Sequence, residues 1–344
     1  MRQGDKMKRW TLASFVFYVS MISWNFSAFG QAGTVALRYK HMFPSGHKQA
    51  LLAAEWGREI EKKSSGRVTV SLFPYDKLTP SGKCYEGVVS GFCDVSMSAF
   101  GYTRGRFPLT EAIDLPLGYR SGSAATRLIN QYYQRFKPKE FDEVKVMYLH
   151  AHGPGFLHTF KKAVHRLEDL KGLKIRCHGL SAKVVACLGG TPVAVSLPET
   201  YEALNRGLAA GAMIPFEALE GYRLGELLKY TTENFGSSYT SGLFVVMNKK
   251  KWNILPLDIQ QIVERVNEEW IVKSGKLWDE LDRSGRDFTL REDNQIISLS
   301  REEEERWARA VKPLLEDYAD HMRAKGLPGE EVLKFCLERL KNLQ

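Results

Sequence analysis

The stretch TVALRYKHMFPSGHKQALLAAEWGREIEKKSSGRVTVSLFP, Thr34 to Pro74, decides the fold class. Val35, Leu37 and Tyr39 alternate, which is the period of a strand. From about Lys48 to Lys62, Leu51, Leu52, Trp56 and Ile60 recur at helical spacing. A Ser-Ser-Gly turn then leads into a second alternating run, Val68, Val70 and Leu72. Strand, helix, strand is the unit of a parallel sheet covered by helices. The rhythm continues through a helix at about Gly82–Gly91, the strand CDVSMSAF (Cys93–Phe100), a helix near Ala124–Phe136 and the strand EVKVMYLHAH (Glu143–His152).

Past His152 the rhythm restarts. GFLHTF (Gly155–Phe160), GLKIRCHG (Gly172–Gly179), TPVAVS (Thr191–Ser196), AMIPF (Ala212–Phe216), KYTTE (Lys229–Glu233) and GLFVVMN (Gly242–Asn248) read as strands. A helix is expected over Ala182–Leu188. Another is expected over Pro198–Gly211, with Pro198 in its first turn and Gly211 past its end. A long amphipathic helix should run from Pro256 to about Leu281, with Ile259, Ile262, Val263, Val266 and Trp270 on one stripe. Ser300, three residues before Glu303, reads as a capping-box start, and Pro313 as a kink in the helix that follows. Glu330–Leu343 reads as a last helix. The expected architecture is α/β: a two-lobed fold like that of periplasmic binding proteins, with a ligand cleft between the lobes and long connecting helices. The expected bounds are 33–152 plus 242–285 for lobe I. Lobe II takes 153–241 plus 286–344, including the C-terminal helices.

The chain of 344 residues opens with Arg2, Lys6, Lys8 and Arg9, then an apolar stretch from Trp10 to Phe29, then small residues at Gly30 and Ala32. That order of basic, apolar and small residues predicts a signal peptide over 1–32, and export to the periplasm. Five cysteines without a CxxC spacing give no support for a zinc or thioredoxin-like site. The net charge of +9 is scattered rather than striped with aromatics, so nucleic-acid binding is not expected; a mild positive field favours small anions.

No GxSxG, GxGxxG or GxxxxGK occurs, which removes the serine-elbow and phosphate-loop chemistries. HAHGPGFLHT carries His150, His152 and His158, and an HxH pair with a third ligand from His158 or Glu217 is a zinc pattern. An exported metal-dependent hydrolase is therefore the alternative reading. Cys177 lies between Arg176 and His178, but neighbours on a strand face opposite ways. Arg176 closes the strand LKIR, with Ile175 turned toward the core and Arg176 away from it. Such an Arg is either a solvated surface charge or an anchor, because ligands bind outside the carboxyl ends of strands in α/β units. The guanidinium fork takes a carboxylate through two bonds.

An ordered set of motifs spans most of the chain: KKSSGRVTVSLFP, GRFPLTEAIDLPLGY, HGPGFLHT, LEDLKGLKIRCHG, LGGTPVAVSLPETYEALNRGLAAGAMIPFEAL and LLKYTT. With them the sequence resembles the solute receptors of tripartite ATP-independent periplasmic (TRAP) transporters, the DctP family. The resemblance implies a monomeric receptor without cofactor or metal, and no chemistry on the ligand. It would hand a small organic acid to a pair of membrane permease subunits driven by an ion gradient. It also implies that Arg176 holds the ligand carboxylate. Sialic-acid-type members carry a second Arg where this chain has Phe156, an Asn where it has Ile214, and an Asp where it has Ala210. These apolar replacements favour a monocarboxylate with a hydrophobic or aromatic body. By motif position the remaining wall is expected from Met42, Phe43, Phe100, Tyr102, His158, Leu197, Phe216 and Tyr239.

Overall fold

The computed structural model describes residues 34–74 and 77–344; the expected leader, 1–32, lies outside the described residues. Eleven strands are described: β1 (Val35–His41), β2 (Val68–Phe73), β3 (Val95–Ala99), β4 (Val144–Ala151), β5 (Gly155–Thr159), β6 (Lys174–Cys177), β7 (Thr191–Ala194), β8 (Gly211–Pro215), β9 (Tyr230–Glu233), β10 (Gly242–Asn248) and β11 (Gln295–Ser298). They form two sheets, ordered β2-β1-β3-β10-β4 and β11-β9-β5-β8-β6-β7. β1 runs parallel to β2 and to β3, as the strand-helix-strand rhythm requires. β10 enters antiparallel between β3 and β4. In the second sheet β6 is parallel to β7 and β8, while β5 is antiparallel to β8 and β9.

The sheet orders show how often the chain changes lobe. It leaves the first sheet after β4, builds β5 to β9, and returns as β10. The two linkers pair where they pass: Gly155 and Tyr239 form a bridge, and the Gly155 amide donates to the Tyr239 carbonyl at 2.8 Å. A helix from Leu257 to Arg291 then carries the chain back to β11. Its apolar stripe buries Ile259, Val263, Val266, Trp270 and Trp278 in the core of the first lobe. Three buried indoles on or against this helix have a partner for the N–H. Trp270 donates to the Leu52 carbonyl, Trp56 to Asn267 Oδ1 and Trp278 to His150 Nδ1, each at 2.9 Å. Further along, Gly285 lies against the second lobe, where an added Cβ would collide with the Phe216 carbonyl oxygen. Only glycine allows that approach.

Three expectations need correction. The helix predicted over Pro198–Gly211 spans only Thr200–Asn205. Gly207, at φ +70°, turns the chain after it, and Gly211 opens β8. The long helix does not stop near Leu281 but runs to Arg291. The C-terminal segment does not stay with the second lobe. Arg301–Val311, capped by Ser300, sits there, with Glu304 accepting from the Phe235 and Gly236 amides. Pro313 then opens a new helix, Pro313–Ala324, whose Tyr318 hydroxyl donates to the Leu109 carbonyl of the first lobe at 2.7 Å. The last helix, Gly329–Leu343, packs on Gly122–Phe136. Apolar faces of separate helices choose their partners through tertiary packing, which local periodicity does not encode. Among the described residues no helix is long and apolar enough to cross a membrane.

Candidate functional site

β6 is flanked by β7 and β8, both parallel to it, and Arg176 near its carboxyl end lines a cavity shared with residues of the first lobe. Ile175 faces the core of the second lobe and Arg176 faces the other way. Arg176 is not a surface charge: its relative exposure is 0%. Nε donates to the Val195 carbonyl at 2.9 Å, which fixes the guanidinium plane. Among the described residues Nη1 and Nη2 are buried without a geometric hydrogen bond, with the Tyr102 hydroxyl near enough to feel the charge. A buried cation with its fork unpaired is expensive, and a carboxylate is the group that fits it.

The fork lies on a cavity of about 30 Å³ between the two lobes. The first lobe supplies Met42, Phe43, Ala99, Tyr102, Leu243 and Trp278; the second supplies Arg176, His178, Leu197, Ile214, Pro215 and Glu217. His152, Tyr239 and Ser241 line it from the segments that join the lobes. The lobes touch across it. The Leu197 amide donates to the Tyr102 hydroxyl at 3.0 Å, and the Tyr102 and His178 rings lie 5.0 Å apart. Gly179, at φ +53°, brings its backbone so close that a Cβ there would sit 2.9 Å from Gly101 Cα. His47 and Glu217 form a buried pair at 3.0 Å, and Phe43 stacks on His47 with ring centres 4.5 Å apart.

Arg176 is the only Lys or Arg among the described residues that line the cavity. The histidines there are neutral. Burial pushes His152 down to about 4, against the pull of the Gly153 carbonyl and Glu217, with Arg176 adding to the fall. The Ser241 amide donates to its Nε2 at 3.0 Å, so Nδ1 carries the proton, donated to the Gly153 carbonyl at 2.6 Å. Burial, reinforced by Arg176, holds His178 well below the ordinary histidine range. Burial raises the Tyr102 hydroxyl, and the Arg176 charge opposes that rise. The Tyr239 hydroxyl donates to the Met213 carbonyl at 2.8 Å. The site therefore offers one cationic fork, neutral histidines and hydroxyls, the Glu217 carboxyl paired with His47, and an aromatic and aliphatic wall.

Of the residues expected at the site, Arg176, Phe43, Met42, Tyr102, Leu197 and Tyr239 meet on the cavity. Phe100, Phe156, His158 and Phe216 do not. Phe100 and Tyr102 lie in a 3₁₀ turn, whose three-residue period separates side chains that a strand would align. Phe100 packs on Phe107 and Phe244 in the first core. Phe156 packs edge-on to Phe216 and Phe235 beside a separate groove that also takes Arg283 and Arg286. His158 is buried with both ring nitrogens engaged, Nδ1 with the Thr231 hydroxyl at 2.8 Å and Nε2 with the Ile214 carbonyl at 3.1 Å. Trp278, Ser241 and Glu217 were not singled out for the wall. Trp278 continues the stripe of Trp270 two turns on, so helical spacing could have found it; Ser241 carried no local signal.

The metal reading fails on the same geometry. Burial pushes His150 to about 3 and His158 to about 4. His150 accepts from Trp278, His152 is held by Ser241 and Gly153, and His158 by Thr231 and Ile214. Among the described residues no three His, Cys, Asp or Glu side chains are placed to hold a metal ion.

Residues 39–321 match the family described as Bacterial extracellular solute-binding protein, family 7. A TRAP solute-binding protein from a marine metagenome, specific for aromatic acid ligands and solved with metahydroxyphenylacetate, is similar at 26% identity. It has a TM-score of 0.86, with 90% of this chain and 99% of that chain covered. One from Rhodoferax ferrireducens, solved with copurified benzoate, shows 27% identity and a TM-score of 0.85 over 90% and 98% of the two chains. One from Bordetella bronchiseptica, solved with (R)- and (S)-mandelate, shows 28% identity and 0.84 over 90% and 100%. The chain thus belongs to the DctP family of bacterial extracellular solute-binding proteins, and it is a TRAP solute receptor.

Proposed function

We propose that this receptor works in the periplasm, closes its lobes on a small aromatic monocarboxylate held by Arg176, and presents it to a membrane permease. It is a binding protein and leaves its ligand unchanged. The observation that carries the reading is the guanidinium of Arg176, fully buried with both terminal nitrogens unpaired, on a cavity walled by Phe43, Tyr102, Tyr239 and Trp278. With no second Lys or Arg on the wall, a second carboxylate would be buried unpaired, at a cost the site does not offset. Relatives that hold benzoate, mandelate and hydroxyphenylacetate support the aromatic body.

The cavity of about 30 Å³ has room for roughly two water molecules. An acid the size of benzoate is larger than that volume, so it enters with the lobes apart, and the lobes close around it less far than they do here, by hinge motion in the two paired linkers and the long helix. Titration of the purified protein with benzoate, followed by calorimetry, should give saturable one-to-one binding. Succinate, with two carboxylates and no ring, should bind at least a hundredfold more weakly. Equal affinity for the two, or saturation by succinate alone, would overturn the aromatic monocarboxylate assignment.

A further inference from the structure

A second unpaired polar atom lies beside the Arg176 fork. His178 stands just past the end of β6, and its side chain lines the same cavity as Arg176. The His178 ring lines the cavity with Cδ2 against Gly101, where an added Cβ would stand 3.3 Å away. Nε2 faces the Ser241 hydroxyl at 3.4 Å. Nδ1 is buried and has no hydrogen-bond partner among the described residues. Ser241 is itself fixed, because its amide donates to His152. The other histidine on the cavity, His152, has both nitrogens satisfied, so His178 alone of the two has a ring nitrogen to offer.

We propose that His178, backed by Ser241, reads a hydroxyl on the carbon next to the ligand carboxylate, so that the receptor prefers aromatic 2-hydroxy acids to the same acids without the hydroxyl. This rests on the reading of Arg176 as the carboxylate anchor. Once the fork holds the carboxylate, His178, on the same cavity just past the end of β6, is placed to reach a group on the next carbon outward. The kind of group follows from the protonation state. A neutral imidazole presents one N–H and one lone pair. With Ser241 donating to Nε2, the proton sits on Nδ1 and donates to the ligand oxygen. In the other tautomer Nδ1 accepts. A hydroxyl satisfies either arrangement, whereas a C–H in its place leaves a buried nitrogen unpaired. Sites built to bond a ligand hydroxyl discriminate strongly against analogues that lack it.

Mandelate and phenylacetate are the matched probes, since they differ only in that hydroxyl. Calorimetry on the wild-type receptor should show mandelate bound at least tenfold more tightly than phenylacetate. In His178→Leu the ratio should fall to about one, through loss of mandelate affinity, and His178→Asn should restore part of it. Thermal unfolding of each variant checks that it is folded, and only the ratio within one variant is read. A wild-type ratio near one, or a ratio unchanged in His178→Leu, would overturn the inference while leaving the Arg176 reading intact. Equal weakening of both acids in His178→Leu would also overturn it, because His178 would then be serving the carboxylate. If wild type binds neither of these acids nor benzoate, the aromatic-acid reading fails and this inference with it.

Discussion

Arg176→Ala should lose benzoate affinity by two to three orders of magnitude while keeping the fold. In the closed receptor the guanidinium is fully buried, and among the described residues its one geometric hydrogen bond is from Nε, with the Tyr102 hydroxyl nearby. Breaking a buried ion pair costs roughly 3–5 kcal/mol, because the remaining charge is left uncompensated. Here that remaining charge would be the ligand carboxylate. The same physics explains closure. With no anion between the lobes, shutting them strips water from an unpaired cation. With a carboxylate on the fork that penalty is largely removed, and the population moves to the closed form. The Leu197–Tyr102 and His47–Glu217 contacts across the cleft then add to a state the ligand has made accessible. Calorimetry with benzoate, beside a circular dichroism check of the fold, measures the loss. A drop of less than about tenfold would mean that the carboxylate is held elsewhere.

Trp278→Ala should be among the most destabilising single changes in the first lobe. The indole is 1% exposed, stacks on His150 at 5.9 Å between ring centres, and lies 6.0 Å from Phe43. Truncating a buried Trp to Ala costs about 3–5 kcal/mol through lost burial and the cavity left behind. The change also removes the only donor to His150 Nδ1 that the structure shows, about 1–3 kcal/mol more. Trp278→Phe separates these terms: it keeps most of the volume and loses the N–H, so it should cost about 1–3 kcal/mol. Denaturant unfolding curves give both values. If Trp278→Ala costs less than about 1 kcal/mol, the indole does not hold the cleft wall to the core as described.

How much of this was legible in the sequence depended on the range of the signal. Ten of the eleven described strands followed from patterns within four to eight residues, and β11 (Gln295–Ser298) did not; that was enough for two α/β units and for the opposed faces of Ile175 and Arg176. Burial of Arg176 was not legible from its own neighbourhood, since a charge at a strand end is equally at home in water. Its role came from the ordered motifs around it. Motif position set Phe100 on the wall beside Tyr102, but the chain forms a 3₁₀ turn there, and only Tyr102 reaches the cavity. Phe156 stands where a polar partner was expected, yet it packs away from the cavity on Phe216 and Phe235. Its strand neighbour Ile214 supplies the apolar wall instead. Ser241 and Glu217 reach the cavity only because distant segments are folded together there. The return of the last helix to the first lobe is of the same kind, a matter of which apolar faces meet.

The central claim is that a carboxylate, and not the ring attached to it, unlocks closure by pairing with Arg176. Benzoate and benzamide have nearly the same shape and differ in charge, so calorimetric titration of the wild-type receptor with each isolates that pairing. The account predicts saturable binding of benzoate and an affinity for benzamide at least a hundredfold lower. Comparable affinities for the two would contradict it.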